Sequence, residues 1–294
     1  MDRKKFIKTS ILGTSIFAAS PLLARVLDND IDELIIAANL FDNDTIVLKM
    51  EKIVSYPLSI VYYFFFLLWL VIFHPIQWIC YTFFGYNAHR LSVAYLNWFL
   101  VRTTHILGTT YDLKGLENIP EKKPIIIVAN HQSLYDITTI LWFLRKIHPK
   151  FISKIELGKG IPSVSYNLRH GGSALIDRKN PKQALPEIKK VAELINANNY
   201  SVVIFPEGTR SKTGAPKPFA SSGLKMLYKF APDAYFLPIT INNSWKMTKF
   251  GSFPLGLGNS LHFQIHPAMK ISDFSFEEIF DKTEKIIANS IKQT

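Results

Sequence analysis

Two short clusters in this sequence hold side chains suited to proton transfer and anion binding. The first reads Asn130-His131-Gln132-Ser133-Leu134-Tyr135-Asp136. His131 and Asp136 are five residues apart, a poor spacing for one helical face, where neighbours fall three and four apart. The pair works better with His131 in a loop at a strand end and Asp136 in the first turn of the following helix. The carboxylate then accepts from one imidazole nitrogen and leaves the other as a base near neutral pH. The second cluster reads Val202-Val-Ile-Phe-Pro-Glu-Gly-Thr-Arg-Ser211. An apolar strand runs into Pro206, Glu207 and Gly208, so the chain turns sharply and exposes Thr209 and Arg210. A guanidinium there suits bidentate contact with phosphate. Taken singly, each cluster also fits a plainer structure, a helix-capping histidine or a surface ion pair worth under about 1 kcal/mol.

The elements that must position these clusters are short β-rich runs alternating with helical ones from about residue 108. Pro124 to Asn130 is a continuous apolar run, as expected of a strand buried on both faces. Further strands are predicted at 151–153, 174–177, 201–205, 235–241 and 261–266, and helices at 133–146, 181–198, 220–230 and about 275–291. Asn180 caps the helix over 181–198, and Pro181 sits in its first turn. Strand–helix alternation predicts an α/β domain with a mixed, largely parallel central sheet flanked by helices. Both clusters follow buried strands, where such sheets place their sites.

Ahead of this domain, residues 53–89 contain no Asp, Glu, Lys or Arg. Pro57 to Phe73 would span roughly 25 Å as a helix, short of a bilayer's ~30 Å core. His74-Pro75 predicts a break, since Pro has no amide donor. A second apolar run, 76–84, carries Trp78 and Tyr81, with Tyr86 beyond it, residues that favour the headgroup region. The reading is an N-terminal membrane-associated helical hairpin dipping into one leaflet; a single tilted span and a buried core helix are the alternatives. Residues 1–25 look like a targeting segment, with Arg3, Lys4, Lys5 and Lys8 before an apolar run. Translation starting at Met50 is an equal reading. The chain thus divides into 1–49 of uncertain status, membrane-associated helices over 50–105 and a catalytic domain over 106–294.

The 294 residues carry a net charge of +11, so acidic partners are expected. A hydrophobic content of 48%, with 22 Phe and 12 Tyr, turns that expectation toward lipid. Scattered basic residues, without arginine runs or zinc-type spacing, argue against nucleic acid. One cysteine, Cys80, excludes a disulfide framework and a cysteine-based metal site.

Together the two clusters are far more specific than either alone. Asn130-His131-Gln132-Ser133 with Asp136, then Phe205-Pro206-Glu207-Gly208-Thr209-Arg210, resembles the glycerolipid acyltransferase family. Lys154, Glu156 and Leu157, then Pro162, Gly172 and Ile176-Asp177-Arg178, look like that family's middle motif, and Leu237-Pro238-Ile239 like its last. The similarity covers about residues 55–265. Two departures stand out: Ser165 replaces a usual glycine, and Phe219-Ala220-Ser221-Ser222-Gly223 lacks a usual lysine.

The resemblance implies an enzyme that moves a fatty acyl group from acyl-CoA or acyl-carrier protein to the hydroxyl of 1-acyl-sn-glycerol 3-phosphate. The product would be phosphatidic acid. It implies that His131 is the base and Asp136 its orienting carboxylate, with direct transfer and no acyl-enzyme. An amide near Gly208 would hold the oxyanion. Arg178 and Arg210, with Lys154, would bind the acceptor phosphate, and Glu207 would position its glycerol. No cofactor beyond the acyl donor and no metal is expected. Membrane lipids, the lysophospholipid and the donor are the expected partners, and the catalytic domain is expected to face the cytoplasm. Another lysolipid, glycerol 3-phosphate, or a non-catalytic lipid-binding role are the alternatives.

Overall fold

In the computed structural model, the described residues, 43–292, place eight strands in one sheet between two layers of helix. The strands are β1 (Thr110–Lys114), β2 (Ile125–Ala129), β3 (Pro149–Lys154), β4 (Ala174–Ile176), β5 (Ser201–Ile204), β6 (Tyr235–Asn242), β7 (Ser260–Ile265) and β8 (Met269–Lys270). They run in the order β1-β7-β6-β2-β5-β3-β4, with β8 paired to β6. From β6 through β4 every neighbour is parallel, whereas β7 and β8 lie antiparallel to β6. The expected mixed, largely parallel sheet is therefore present.

Burial explains the sequence pattern of each strand. Parallel β6 and β5 flank β2, helices cover both its faces, and all five of its residues are buried, hence the unbroken Ile-Ile-Ile-Val-Ala. By contrast β7 alternates half-buried and buried residues, as a strand covered on one face does.

On one face, Ile126, Val128, Val202, Ile204 and Phe236 pack against α4 (Pro181–Asn198), α5 (Ser221–Phe230) and α6 (Phe276–Ser290). Ala184, Ile188, Val191 and Ile195 give α4 one apolar stripe at helical spacing. The Asn180 side chain caps α4 by accepting from the Gln183 amide. On the other face, Ile125, Ile127, Val203, Leu237 and Ile239 meet α2 (Tyr135–Phe143) and the long α1 (Asn43–Thr103). The short α3 (Val164–His170) and strand β1 fall outside the elements expected from sequence.

The hairpin forms, but not at the expected place. α1 runs straight through Pro75 and reverses at Gly85, whose φ of 77° is open to glycine and costly for a side-chain-bearing residue. Trp69 stacks on Phe99 at 4.2 Å and donates to Thr103 Oγ1 at 3.1 Å, so the limbs 43–84 and 86–103 lie side by side. Leu70, Phe73, Leu96 and Leu100 fill the seam. The lost hydrogen bond and crowding at Pro75 cost about 3 kcal/mol. Offsetting this, Ser163 ties the preceding turn to the domain: its hydroxyl donates to the Leu70 carbonyl at 2.6 Å and its amide to His74 Nδ1 at 3.1 Å.

Lower on the first limb the inner face is polar. Buried Glu51 accepts from the Leu257 amide at 3.0 Å and meets Lys249 at 2.5 Å, and Ser59 accepts from the Leu255 amide at 2.8 Å. The outward face carries Ile60, Phe64, Leu67, Val71, Phe83 and Phe84, all exposed. One long apolar helix of this kind is compatible with membrane association. The targeting segment expected within residues 1–25 lies outside the described residues.

Candidate active site

The loops that leave the carboxyl ends of β2, β5, β3 and β4 are neighbours because those strands are neighbours in the sheet. This is the sheet edge where α/β folds bind ligands. His131 follows β2, and Asp136 falls in the first turn of α2, as the spacing predicts. His131 Nδ1 lies 2.8 Å from Asp136 Oδ2. The ring stacks on Phe205 at 4.0 Å between centroids, and the side chain is 13% exposed. Asn130 fixes the strand end below it by exchanging two hydrogen bonds with the Ile241 backbone, of 2.8 and 2.7 Å.

Asp136 is fully buried, and its charge is met by donors on every side. Oδ2 also accepts from the amides of Gln132 at 2.8 Å and Ser133 at 2.9 Å. Oδ1 accepts from Ser244 Oγ and, at 3.4 Å, from Ser133 Oγ. A carboxylate held this way can only accept from His131, so Nδ1 carries the proton and Nε2 keeps its lone pair. The pair is built for a base.

Ser244 was missed in the sequence. It sits just past β6, 108 residues from the carboxylate it touches, and its amide donates to Gln132 Oε1 at 3.0 Å. Nothing local marks it, because its role arises only when β6 pairs with β2.

The β5 loop comes to the same place. The Ser211 amide donates to the His131 carbonyl at 2.7 Å, which sets Arg210 one residue from the histidine loop. Glu207 is half-buried, and its Oε2 has no hydrogen-bond partner among the described residues. Burial pushes its carboxyl up to about 7; hydrogen bonds from the Lys217 and His131 backbones and the Lys217 charge oppose the rise, while Asp136 adds to it.

Gly208 takes φ +70°, and its carbonyl accepts from Arg178, so the β4 loop is tied to the β5 loop. Its amide, however, donates to the Phe205 carbonyl at 3.1 Å. The oxyanion donor expected near Gly208 is therefore not that amide, which the turn itself consumes. Burial depresses the Arg178 guanidinium, opposed by Glu156. Lys154 lies exposed at the last position of β3, in register with Ile176 of β4.

The departures from the sequence pattern have structural counterparts. Lys217, two residues before the stretch lacking a lysine, donates to Thr209 Oγ1 at 3.0 Å and to the Arg210 carbonyl at 2.9 Å. It brings an ammonium to this loop from a position the sequence did not single out. Ser165, in place of a glycine, accepts from the Ile161 amide at 3.0 Å and donates to the Leu157 carbonyl at 2.8 Å. The hydroxyl is a clasp for its own loop.

Residues 110–242 match the family model described as Acyltransferase. A chloroplastic 1-acyl-sn-glycerol-3-phosphate acyltransferase of Brassica napus is 34% identical over 142 residues, 48% of this chain and 40% of that protein. The 1-acyl-sn-glycerol-3-phosphate acyltransferase of Pseudomonas aeruginosa is 30% identical over 59% of this chain and 65% of its own length. The chain thus spans less than two thirds of these relatives. The crystal structure of the 1-acyl-sn-glycerophosphate acyltransferase PlsC from Thermotoga maritima superposes with a TM-score of 0.64 at 25% identity, covering 80% of this chain and 93% of that one.

Proposed function

We propose that this chain, whose residues 110–242 match the Acyltransferase family model, moves a fatty acyl group from acyl-CoA or acyl-carrier protein to 1-acyl-sn-glycerol 3-phosphate, giving phosphatidic acid. The observation that carries the reading is the 2.8 Å pair of His131 and a fully buried Asp136, hydrogen-bonded on both oxygens, at the edge that also presents Arg178 and Arg210. His131 Nε2 removes the proton from the acceptor hydroxyl as its oxygen attacks the thioester carbonyl. The carbon–sulfur bond then breaks, and the departing thiolate takes the proton from the imidazolium. Asp136 stabilises that imidazolium through Nδ1–H. Ser133 is no nucleophile in this scheme, since its hydroxyl faces Asp136 and Ser244.

Arg178, Arg210 and Lys154, joined by Lys217, hold the acceptor phosphate. Glu207 accepts from the glycerol portion through its unpartnered Oε2. No cofactor takes part beyond the donor. The exposed apolar face of α1 keeps the enzyme and the acceptor's acyl tail at the bilayer. Both donors are cytoplasmic, so the catalytic domain faces the cytoplasm.

The test is an acceptor panel with radiolabelled acyl donor and purified protein. Lysophosphatidate should be acylated fastest, ahead of glycerol 3-phosphate and other lysophospholipids. A different preferred acceptor overturns the substrate assignment, and no transfer to any acceptor overturns the enzymatic reading.

A further inference from the structure

A second basic pocket lies away from the catalytic edge, between the second limb of α1 and the start of β3. Tyr86, His89, Arg90, Arg145, His148 and Lys150 line it, and no Asp or Glu does. Lys150 is 4% exposed; its Nζ donates to the Tyr86 hydroxyl and lies over the rings of Tyr86 and Tyr200 at 4.7 and 5.1 Å. Arg90 Nη1 is 2.6 Å from His148 Nε2, which must accept, so the proton sits on His148 Nδ1.

Several polar atoms that line this pocket are left without a partner. Arg90 Nε, His148 Nδ1 and both ring nitrogens of the fully buried His89 have no partner among the described residues. Unpaired buried cations are costly. The strain shows: burial and the Arg90 charge pull the Lys150 ammonium down to about 8, and burial with Arg90 and Lys150 pulls His148 down to about 4. A compact, multiply charged anion would accept at once from Arg90 Nε, His148 Nδ1 and the Lys150 ammonium.

We propose that this pocket is a second phosphate-binding site, with Lys150, Arg90 and His148 donating to the phosphate oxygens. It is separate from the catalytic anion site, since Lys150 and Lys154 are four residues apart on β3, or about 13 Å. Tyr86 follows Gly85 at the hairpin turn, next to Phe83 and Phe84, which are 67% and 71% exposed. A phosphate at that depth comes either from a lipid headgroup beside the inserted aromatics or from free phosphate in solution.

The full chain, purified in detergent, distinguishes these sources in two arms. One titrates inorganic phosphate calorimetrically at fixed ionic strength. The other measures co-sedimentation with vesicles of phosphatidylcholine alone or mixed with phosphatidylglycerol. Arg90→Gln and Lys150→Met are compared with wild type and with Lys189→Gln, a charge control on the exposed face of α4. Lys150→Met keeps the buried stem and removes the unpaired charge, so it should melt no lower than wild type. Both variants should lose more than about tenfold in phosphate-dependent binding, beyond the control and with phosphatidylcholine binding unchanged. A loss confined to the vesicle arm assigns a lipid headgroup, and a loss in both arms assigns phosphate itself. Wild-type binding by both variants in both arms overturns the site.

Discussion

Asp136→Asn separates the charge of the proposed catalytic pair from its geometry. Oδ2 accepts from three N–H groups, those of His131, Gln132 and Ser133, so the asparagine carbonyl must take that position. Its amide then replaces Oδ1 and faces Ser133 Oγ and Ser244 Oγ, hydroxyls that can rotate to accept. The cage survives and the negative charge is gone. In the proposed reaction His131 becomes positive only in the transition state. Unit charges about 4 Å apart at an effective dielectric of ~20 attract by about 4 kcal/mol. Losing that attraction should lower kcat about a thousandfold, with KM for the acceptor little changed. Initial rates of radiolabelled acyl transfer, together with a thermal melt to confirm folding, read this out. A folded variant within about tenfold of the wild-type rate, or one whose defect lies wholly in KM, would refute the assigned role of the carboxylate.

Three further outcomes follow from the same geometry. Ser244→Ala removes a buried donor to Asp136 and should cost roughly 1.5–3 kcal/mol of stability, measured by denaturant unfolding; an unchanged midpoint would contradict the contact. Glu207 holds its proton up to about 7 in the fold but only to its ordinary 4.5 when unfolded, so the folded state binds more protons between those values and stability falls as pH rises through that window. Glu207→Gln should be flat there, and its melting temperature relative to wild type should climb from pH 4.5 to 7; parallel curves would exclude the raised carboxyl. Replacing exposed Phe83 and Phe84 by Ala should weaken vesicle binding with no loss of thermal stability, each ring contributing about 1.5–3 kcal/mol if it inserts fully. Equal binding would place the turn outside the bilayer.

What could be read from the sequence was what local pattern determines. The runs at 125–129 and 202–205 are apolar throughout because β2 and β5 lie mid-sheet under helices on both faces, and such strands announce themselves. The His131–Asp136 contact was also legible, since loop and first helical turn are consecutive and the five-residue spacing admits few geometries. The hairpin turn was not. Proline is a strong local breaker, but the ties from Ser163, some ninety residues away, hold the helix through Pro75, and Gly85 provides the reversal. The engagement of the Gly208 amide depends on how tightly the β5 turn closes, which composition does not reveal. Ser244 and the basic pocket around Lys150 arise from long-range pairing, and their residues look unremarkable in isolation.

The most direct measurement is the acyl-transfer rate of purified His131→Ala with lysophosphatidate and acyl donor. With its imidazole stacked on Phe205 and 13% exposed, the site can be truncated without opening the buried Asp136 cage from below. The expected result is a folded, membrane-bound protein whose kcat has fallen by about two orders of magnitude or more. A variant that folds and keeps most of its rate would mean that another group takes the hydroxyl proton.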